Sequence, residues 1–432
     1  MKPWMFLGRI EVFETEGTER VLERLSGAGI QDIVIGDLFF GKSPAFSPNL
    51  SLYRDTKVRP PEMPKSLESK ARYLFEAIRE AKQRGFRLYL HDWGQNLSSG
   101  YMPPAITRQV SLIPGALLTD CFNDPEALKY FDARTKDAYE HFPEIDGFIL
   151  DGPEWGYELD HSKWNGIFKC FCQSCRAKAE ELGYDFEAIR EAASRLLERL
   201  HGLNPEEVRL LIEAQRGILD ALDSALAEPG ILEWLSFRTD CITDYVRHAH
   251  ETIKGIDKRL SLAIGPRLPA FAPLTGYNMR RLSGFTDFQA PKLYFWLHGI
   301  DGLKGTIYRY VETLTRWNPR LPETLALELF QTFFGLRIPG LKSLEDLYKP
   351  LPEAFFKETV PREIGKMVHR IGSLEKIRPW VGLHHGGVRM TGEELKALLE
   401  AMKASGLESF IYWHYGDLTE EEWHLLKVIA GR

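Results

Sequence analysis

Two groups of residues in this chain have types and spacings suited to chemistry, and they stand close together in the sequence. Asp151 and Glu154 follow directly on the apolar run Phe148-Ile149-Leu150, with Trp155 and Tyr157 beside them. The run is too short for a helix and is bounded by Gly147 and Gly152, as expected of a strand buried on both faces of a parallel sheet. Two carboxylates among aromatic side chains at a strand end suit general acid/base work on a sugar. Trp155 would desolvate Glu154 and raise its pKa, and a general acid needs that shift to hold its proton near neutrality. A solvated or salt-bridged structural glutamate is the competing account. Asp151 is open to three roles: a nucleophile, a ligand for a substrate hydroxyl, or a strand-end aspartate holding a neighbouring arginine.

The second group is the run Cys170-x-Cys172-x-x-Cys175, which begins sixteen residues after Glu154. Its spacing suits a closed thiolate metal site. A structural zinc takes four ligands, and Cys121, on the loop of the preceding strand, is the natural fourth. Cys241 lies on an amphipathic helix and is expected to be a buried core thiol. Free thiols packed in a loop are the alternative. No isolated cysteine stands beside a candidate base, which argues against a catalytic thiol. His91, His298, His384, His385 and His414 all follow expected strands and could hold a catalytic metal. They lack tight ligand spacing, however, and the adjacent His384 and His385 point to opposite sides of an extended chain. Hydrogen bonding to sugar hydroxyls is the better functional account of them. No glycine-rich phosphate loop precedes a helix, and there is no G-x-S-x-G nucleophile elbow.

The elements that must position these residues alternate along the chain. Strands are expected over 4–8, 31–35, 87–90, 148–150, 260–264, 287–294, 380–383 and 409–413, with helices between them. Most of these strands deliver polar or aromatic residues just after the apolar run. Eight strand-helix units are what a (β/α)8 barrel of the TIM type requires, and in such barrels the chemistry sits at the carboxyl ends of the strands. The whole chain, 1–432, reads as one barrel with a helical insertion over 176–232 after strand 4 and a helical excursion over 299–377 after strand 6. Helices in the first are broken near Asn204-Pro205 and Pro229-Gly230. The segment 324–330, carrying Glu328, could itself be a strand. Thr391, with Glu394 three residues on, marks a helix start.

The formal net charge of −6 and a pI near 6.1 argue against a nucleic acid or an anionic membrane as partner. No stretch approaches a membrane span, and the N-terminus lacks the apolar run of a signal peptide. Five cysteines, three of them clustered, fit metal binding in a reducing compartment better than a disulfide framework, which places the protein in the cytoplasm. A homo-oligomer stays open.

With Cys121 followed by Cys170-x-Cys172-x-x-Cys175 shortly after the fourth-strand glutamate, the chain resembles the glycoside hydrolase family 42 β-galactosidases, retaining glycosidases built on (β/α)8 barrels. The resemblance implies a glycosidase with Glu154 as acid/base and the four cysteines as ligands of a structural zinc. The chain departs from the family pattern at two points: Pro153 stands where an asparagine would precede the glutamate, and the seventh strand ends in His384-His385 where the nucleophile would be. Glu328 is the best substitute for that nucleophile, with Asp151 the runner-up and Asp287 a further candidate. A carbohydrate substrate would stack on Trp155, Trp296 and Trp413, with Asp37, His91, Asp92, Arg267 and His384 on its hydroxyls. Two other classes compete: a barrel that binds sugar without cleaving it, and a metal-dependent sugar isomerase or deacetylase built on the histidines.

Overall fold

The computed structural model describes residues 1–8, 11–36, 45–92, 104–116, 119–160, 166–215, 217, 219–221 and 228–432. Short apolar runs form the strands β1 (Lys2–Leu7), β2 (Asp32–Ile35), β3 (Arg87–Asp92), β4 (Gly147–Leu150), β5 (Ser261–Ile264), β6 (Phe288–Gln289) and β7 (Lys292–Leu293). They are followed by β8 (Leu297–His298), β9 (Trp380–Gly382), β10 (Gly387–Val388) and β11 (Ser409–Trp413). Nine of them pair in the order β6-β5-β4-β3-β2-β1-β11-β9-β7, every pairing parallel. The two ends of that order, β6 and β7, are halves of one strand interrupted at Ala290-Pro291. Around the interruption, Ala290 N–H donates to Ile264 O at 2.8 Å on one side, and Trp380 N–H donates to Pro291 O at 2.9 Å on the other. The sheet therefore closes on itself as an eight-staved barrel, the expected (β/α)8 fold. β8 and β10 form a separate antiparallel pair.

All four residues of β4 are buried. Its first residue must be glycine, since a Cβ on Gly147 would stand 2.3 Å from the Ser261 carbonyl of the neighbouring strand. Inside the barrel Trp4 stacks on Tyr89 with ring centroids 4.8 Å apart, and Phe6 stacks on Trp413 at 4.1 Å. These rings fill the interior, so the barrel has a packed core rather than a pore.

Two helical excursions leave the barrel. After β4 come the helices Gln173–Leu182, Phe186–His201, Pro205–Ala214 and Pro229–Ile256. Their starts follow the chain's own signals: Asn204 accepts from Glu207 N–H ahead of Pro205, and Asp185 accepts from Ala188 N–H. Between β8 and β9 lie the helices Leu303–Trp317, Glu323–Phe334 and Val360–Ile371. The segment 324–330 is thus helical, not a strand. The excursions pack on each other, with Asn318 Nδ2 donating to Leu200 O at 2.8 Å. The helix Gly392–Ala404 begins with the expected capping box, Thr391 Oγ1 accepting from Glu394 N–H at 3.1 Å and Glu394 accepting from Thr391 N–H at 2.8 Å. No described helix is long and apolar enough to cross a membrane.

Candidate active site

Strand pairing carries Asp151 to its place: its N–H donates to Asp92 O on β3 at 2.6 Å, and Gly265 N–H donates to Leu150 O at 2.9 Å on the β5 side. From there six side chains, five of them buried and Asp301 half-buried, form a continuous chain of contacts. His91 Nε2 of β3 lies 3.2 Å from Asp151 Oδ2. Lys292 Nζ of β7 lies 2.7 Å from Asp151 Oδ1 and 2.9 Å from Asp301 Oδ2. Asp301 also pairs with Arg267 Nη1. Arg267, just beyond β5, donates from Nε to both Glu154 oxygens at 2.8 and 3.0 Å, and from Nη2 to Oε1 as well. Three carboxylates thus alternate with an ammonium and a guanidinium at the carboxyl ends of the strands. Glycine at 265 is required for this closeness: a Cβ there would stand 2.9 Å from Asp151 Oδ1 and 3.4 Å from Trp380 Nε1.

The environment separates the carboxylates. Burial alone would raise Asp151, but Lys292, His91 and Arg267 outweigh it and hold that carboxyl well below the usual range. Asp301 is likewise opposed by burial and pulled down by Arg267 and Lys292, to about 2. For Glu154 burial prevails over the pull of Arg267, and its pKa is raised. One carboxyl with a raised pKa beside others held ionised is the arrangement that separates acid from base. Trp380 Nε1 and the Tyr277 hydroxyl are buried here without a hydrogen-bond partner, and Tyr277 feels the charges of Glu154 and Asp151.

The structure sorts the sequence candidates. Asp151, Glu154, His91 and Arg267 come together, although Arg267 is bound to Glu154. Glu328 does not join them: it is exposed on the Glu323–Phe334 helix, not one of the buried carboxylates around Arg267 and Lys292. Asp287 sits at the opposite, amino end of its strand, where it accepts from Leu262 N–H at 2.8 Å and from Lys254 at 3.0 Å. Asp92 is locked in a buried pair with Arg134, at 2.9 and 3.1 Å. Trp155 and Trp296 are core residues, 1% and 0% exposed, their indole N–H groups donating to Arg238 O and Ile300 O. Neither offers a face to a sugar. Trp413 lies over Phe6 near His385, and His384 stands 3.7 Å from Asp417 at the partly exposed rim. Asp37 lies outside the described residues. Lys292, Asp301, Tyr277 and Trp380 were not singled out from sequence. Asp301 has the clearest retrospective signal, an aspartate flanked by Gly299 and Gly302 soon after a strand, and it adopts a left-handed φ of 67°, as residues at functional sites often do.

The four cysteines Cys121, Cys170, Cys172 and Cys175 converge, all buried, with their sulfurs within 4.8 Å of one another. Tetrahedral zinc with Zn–S bonds near 2.3 Å would place its sulfurs about 3.8 Å apart, and Cys121 and Cys175 stand at 3.5 Å. Hydrogen bonds among the sulfurs push the Cys121 thiol up and hold Cys172 well below the usual range. Val110 N–H donates to Cys170 Sγ at 3.3 Å and Asn123 Nδ2 to Cys175 Sγ at 3.4 Å, the outer contacts that steady a metal's ligands. The residues fit a four-coordinate metal. Cys241 is not one of the four; it is a buried thiol that accepts from the same Asn123 Nδ2 at 3.3 Å, its pKa pushed up by burial. Among the described residues no histidines gather as metal ligands.

No family model matches the chain, and no curated protein does. Among solved structures, the fold is similar to the glycoside hydrolase domain of PgaB (BpsB) from Bordetella bronchiseptica, at 11% identity and a TM-score of 0.55, covering 100% of this chain and 99% of that one. It is also similar to a β-galactosidase from the Antarctic haloarchaeon Halorubrum lacusprofundi (12%, TM-score 0.55) and to one from the psychrophilic Marinomonas ef1 (12%, TM-score 0.52). This chain, matched over its whole length, spans 58% and 59% of those two enzymes. At such identities the likeness is one of fold.

Proposed function

We propose that this barrel is a glycoside hydrolase that works with retention, with Glu154 as acid/base and Asp151 as nucleophile. The observation that carries this is the linked chain His91–Asp151–Lys292–Asp301–Arg267–Glu154 at the strand ends, in which Glu154 alone of the carboxyls has its pKa raised. Glu154 would protonate the leaving oxygen while ionised Asp151 attacks the anomeric carbon, and Glu154 would then take a proton from the incoming water. Lys292 keeps Asp151 ionised. Arg267 orients Glu154 and must yield one of its oxygens as the substrate enters. Trp380 Nε1 and Tyr277 OH are buried without partners, so they would meet sugar hydroxyls only as substrate opens the mouth, the same opening that frees an oxygen of Glu154 from Arg267; His91 and Trp413 lie beside Trp380. The four cysteines would hold a structural zinc, which contributes folding free energy and takes no part in the reaction.

The cysteine pattern and the two β-galactosidase neighbours make aryl β-galactosides the first substrates to try, within a panel of chromogenic glycosides. Hydrolysis that persists in a chelator too weak to take the cysteine-bound metal and is lost in Asp151→Asn supports the proposal; hydrolysis unaffected by Asp151→Asn removes that nucleophile. Activity abolished by chelator in a chain that stays folded would instead favour metal-dependent isomerase or deacetylase chemistry. A specific observation favours a second reading, a barrel that binds sugar without cleaving it: Glu154 is 8% exposed and Arg267 engages both its oxygens. Sugar binding without turnover of any glycoside in the panel would establish that reading.

A further inference from the structure

We infer that Arg238 is the counter-ion of the sulfur cluster and ties it to the loop bearing Glu154; this rests on the proposal that the cluster holds a divalent metal. A divalent cation with four thiolates carries a net charge of −2. Burying such a charge is costly unless it is balanced nearby. All four cysteines are at most 4% exposed. Arg238, on the Pro229–Ile256 helix, is 0% exposed, and among the described residues no carboxylate pairs with it. Its guanidinium donates only to main-chain carbonyls: Leu274 at 2.8 Å, Gly156 at 3.3 Å, Lys169 at 2.6 Å, and Ile167. It also lies over the Trp234 ring at 4.2 Å. Carbonyl dipoles solvate a guanidinium without cancelling its charge, and the bond to Lys169 O ties it to the residue next to Cys170.

The same guanidinium is a clamp. Gly156 is two residues past Glu154, Ile167 and Lys169 lead into the cysteines, and Trp155 Nε1 donates to Arg238 O at 3.0 Å. Arg238 is thus a positioning residue, held in place by the charge of the loaded cluster and in turn holding the loop that carries Glu154.

The test compares Arg238→Lys with the neutral Arg238→Gln in the full chain as purified, reading the rate at which metal passes to excess chromogenic chelator. Outer-shell changes weaken metal binding roughly 10–100-fold, so Arg238→Gln should release metal about that much faster, and Arg238→Lys should stay near the parent. Equal release from Arg238→Gln and the parent overturns the inference, as does equally fast release from Lys and Gln variants. A parent chain without metal would instead refute the metal proposal itself. If neither variant folds, hydrogen exchange in the parent decides. Chelation should speed exchange over 155–160, 166–170 and 274–276, and unchanged exchange there overturns the coupling.

Discussion

The sulfur cluster and the acidic chain at the barrel mouth both bring four or more polar side chains out of water, but by opposite means. Three of the four sulfurs come from one short segment, and only Cys121 is supplied from elsewhere. The mouth draws on β3, the loops after β4 and β5, β7 and the turn after β8. In the first region a bound cation would neutralise like charges. In the second, Lys292 and Arg267 do so from within the chain, leaving Glu154 with the raised pKa. The comparison separates a device for holding the fold from one for holding a proton, and each variant below is chosen to break or sharpen it.

The largest effect is expected at the cysteines. Cys172→Ser should lose the metal and lower Tm more than any other change named here, because metal binding is folding free energy; a metal assay and a thermal melt check both halves. Next is Lys292→Met, which leaves buried Asp151 without its ammonium, while Asp301 keeps Arg267. A loss of roughly 3–5 kcal/mol is expected from denaturant unfolding. The same change should raise the Asp151 pKa, so the acid limb of any pH–activity profile should move upward, since the carboxylate would then be protonated at higher pH.

Asp301 offers a smaller effect with a definite sign. Its folded pKa of about 2 lies below the ordinary 3.8, so its contribution to stability is present above the ordinary value and is lost as pH falls through the folded one. That contribution is about 2 kcal/mol. Asp301→Asn should flatten the stability profile between pH 4 and pH 2, as read from denaturant midpoints. Smallest of all should be Glu328→Gln. A substitution on an exposed helical face is expected to change stability by less than about 0.5 kcal/mol, with kcat/KM unchanged; a large loss of activity would return Glu328 to the site.

These contrasts also explain what was legible in sequence. The strands were, because runs such as Phe148-Ile149-Leu150 end at polar residues and because each is too short for a helix. The cysteines were, because metal geometry narrows the spacing of ligands that are local in the chain. Glu154 and Asp151 stood out by their place after β4. Lys292 did not, because a lysine inside an apolar run gives no hint of the two aspartates it meets across the barrel. Trp155 and Trp296 misled for a related reason: an aromatic residue after a strand can face the mouth or the packing behind it, and only tertiary contact decides. Asp92 pairs with Arg134, a partner 42 residues away that no local pattern reveals. Glu328 was favoured because 324–330 is apolar enough for a strand, yet that segment buries its apolar side as a helix against the other excursion.

The central claim is that Glu154 carries the proton given to the leaving group. The direct measurement is kcat/KM for the parent and Glu154→Gln on two aryl glycosides of the same sugar, one with an activated phenol as leaving group and one with a poor one. Activated leaving groups need little protonation, so the variant should lose far more on the poor substrate than on the activated one. An equal loss on both would contradict the assignment of Glu154 as the acid.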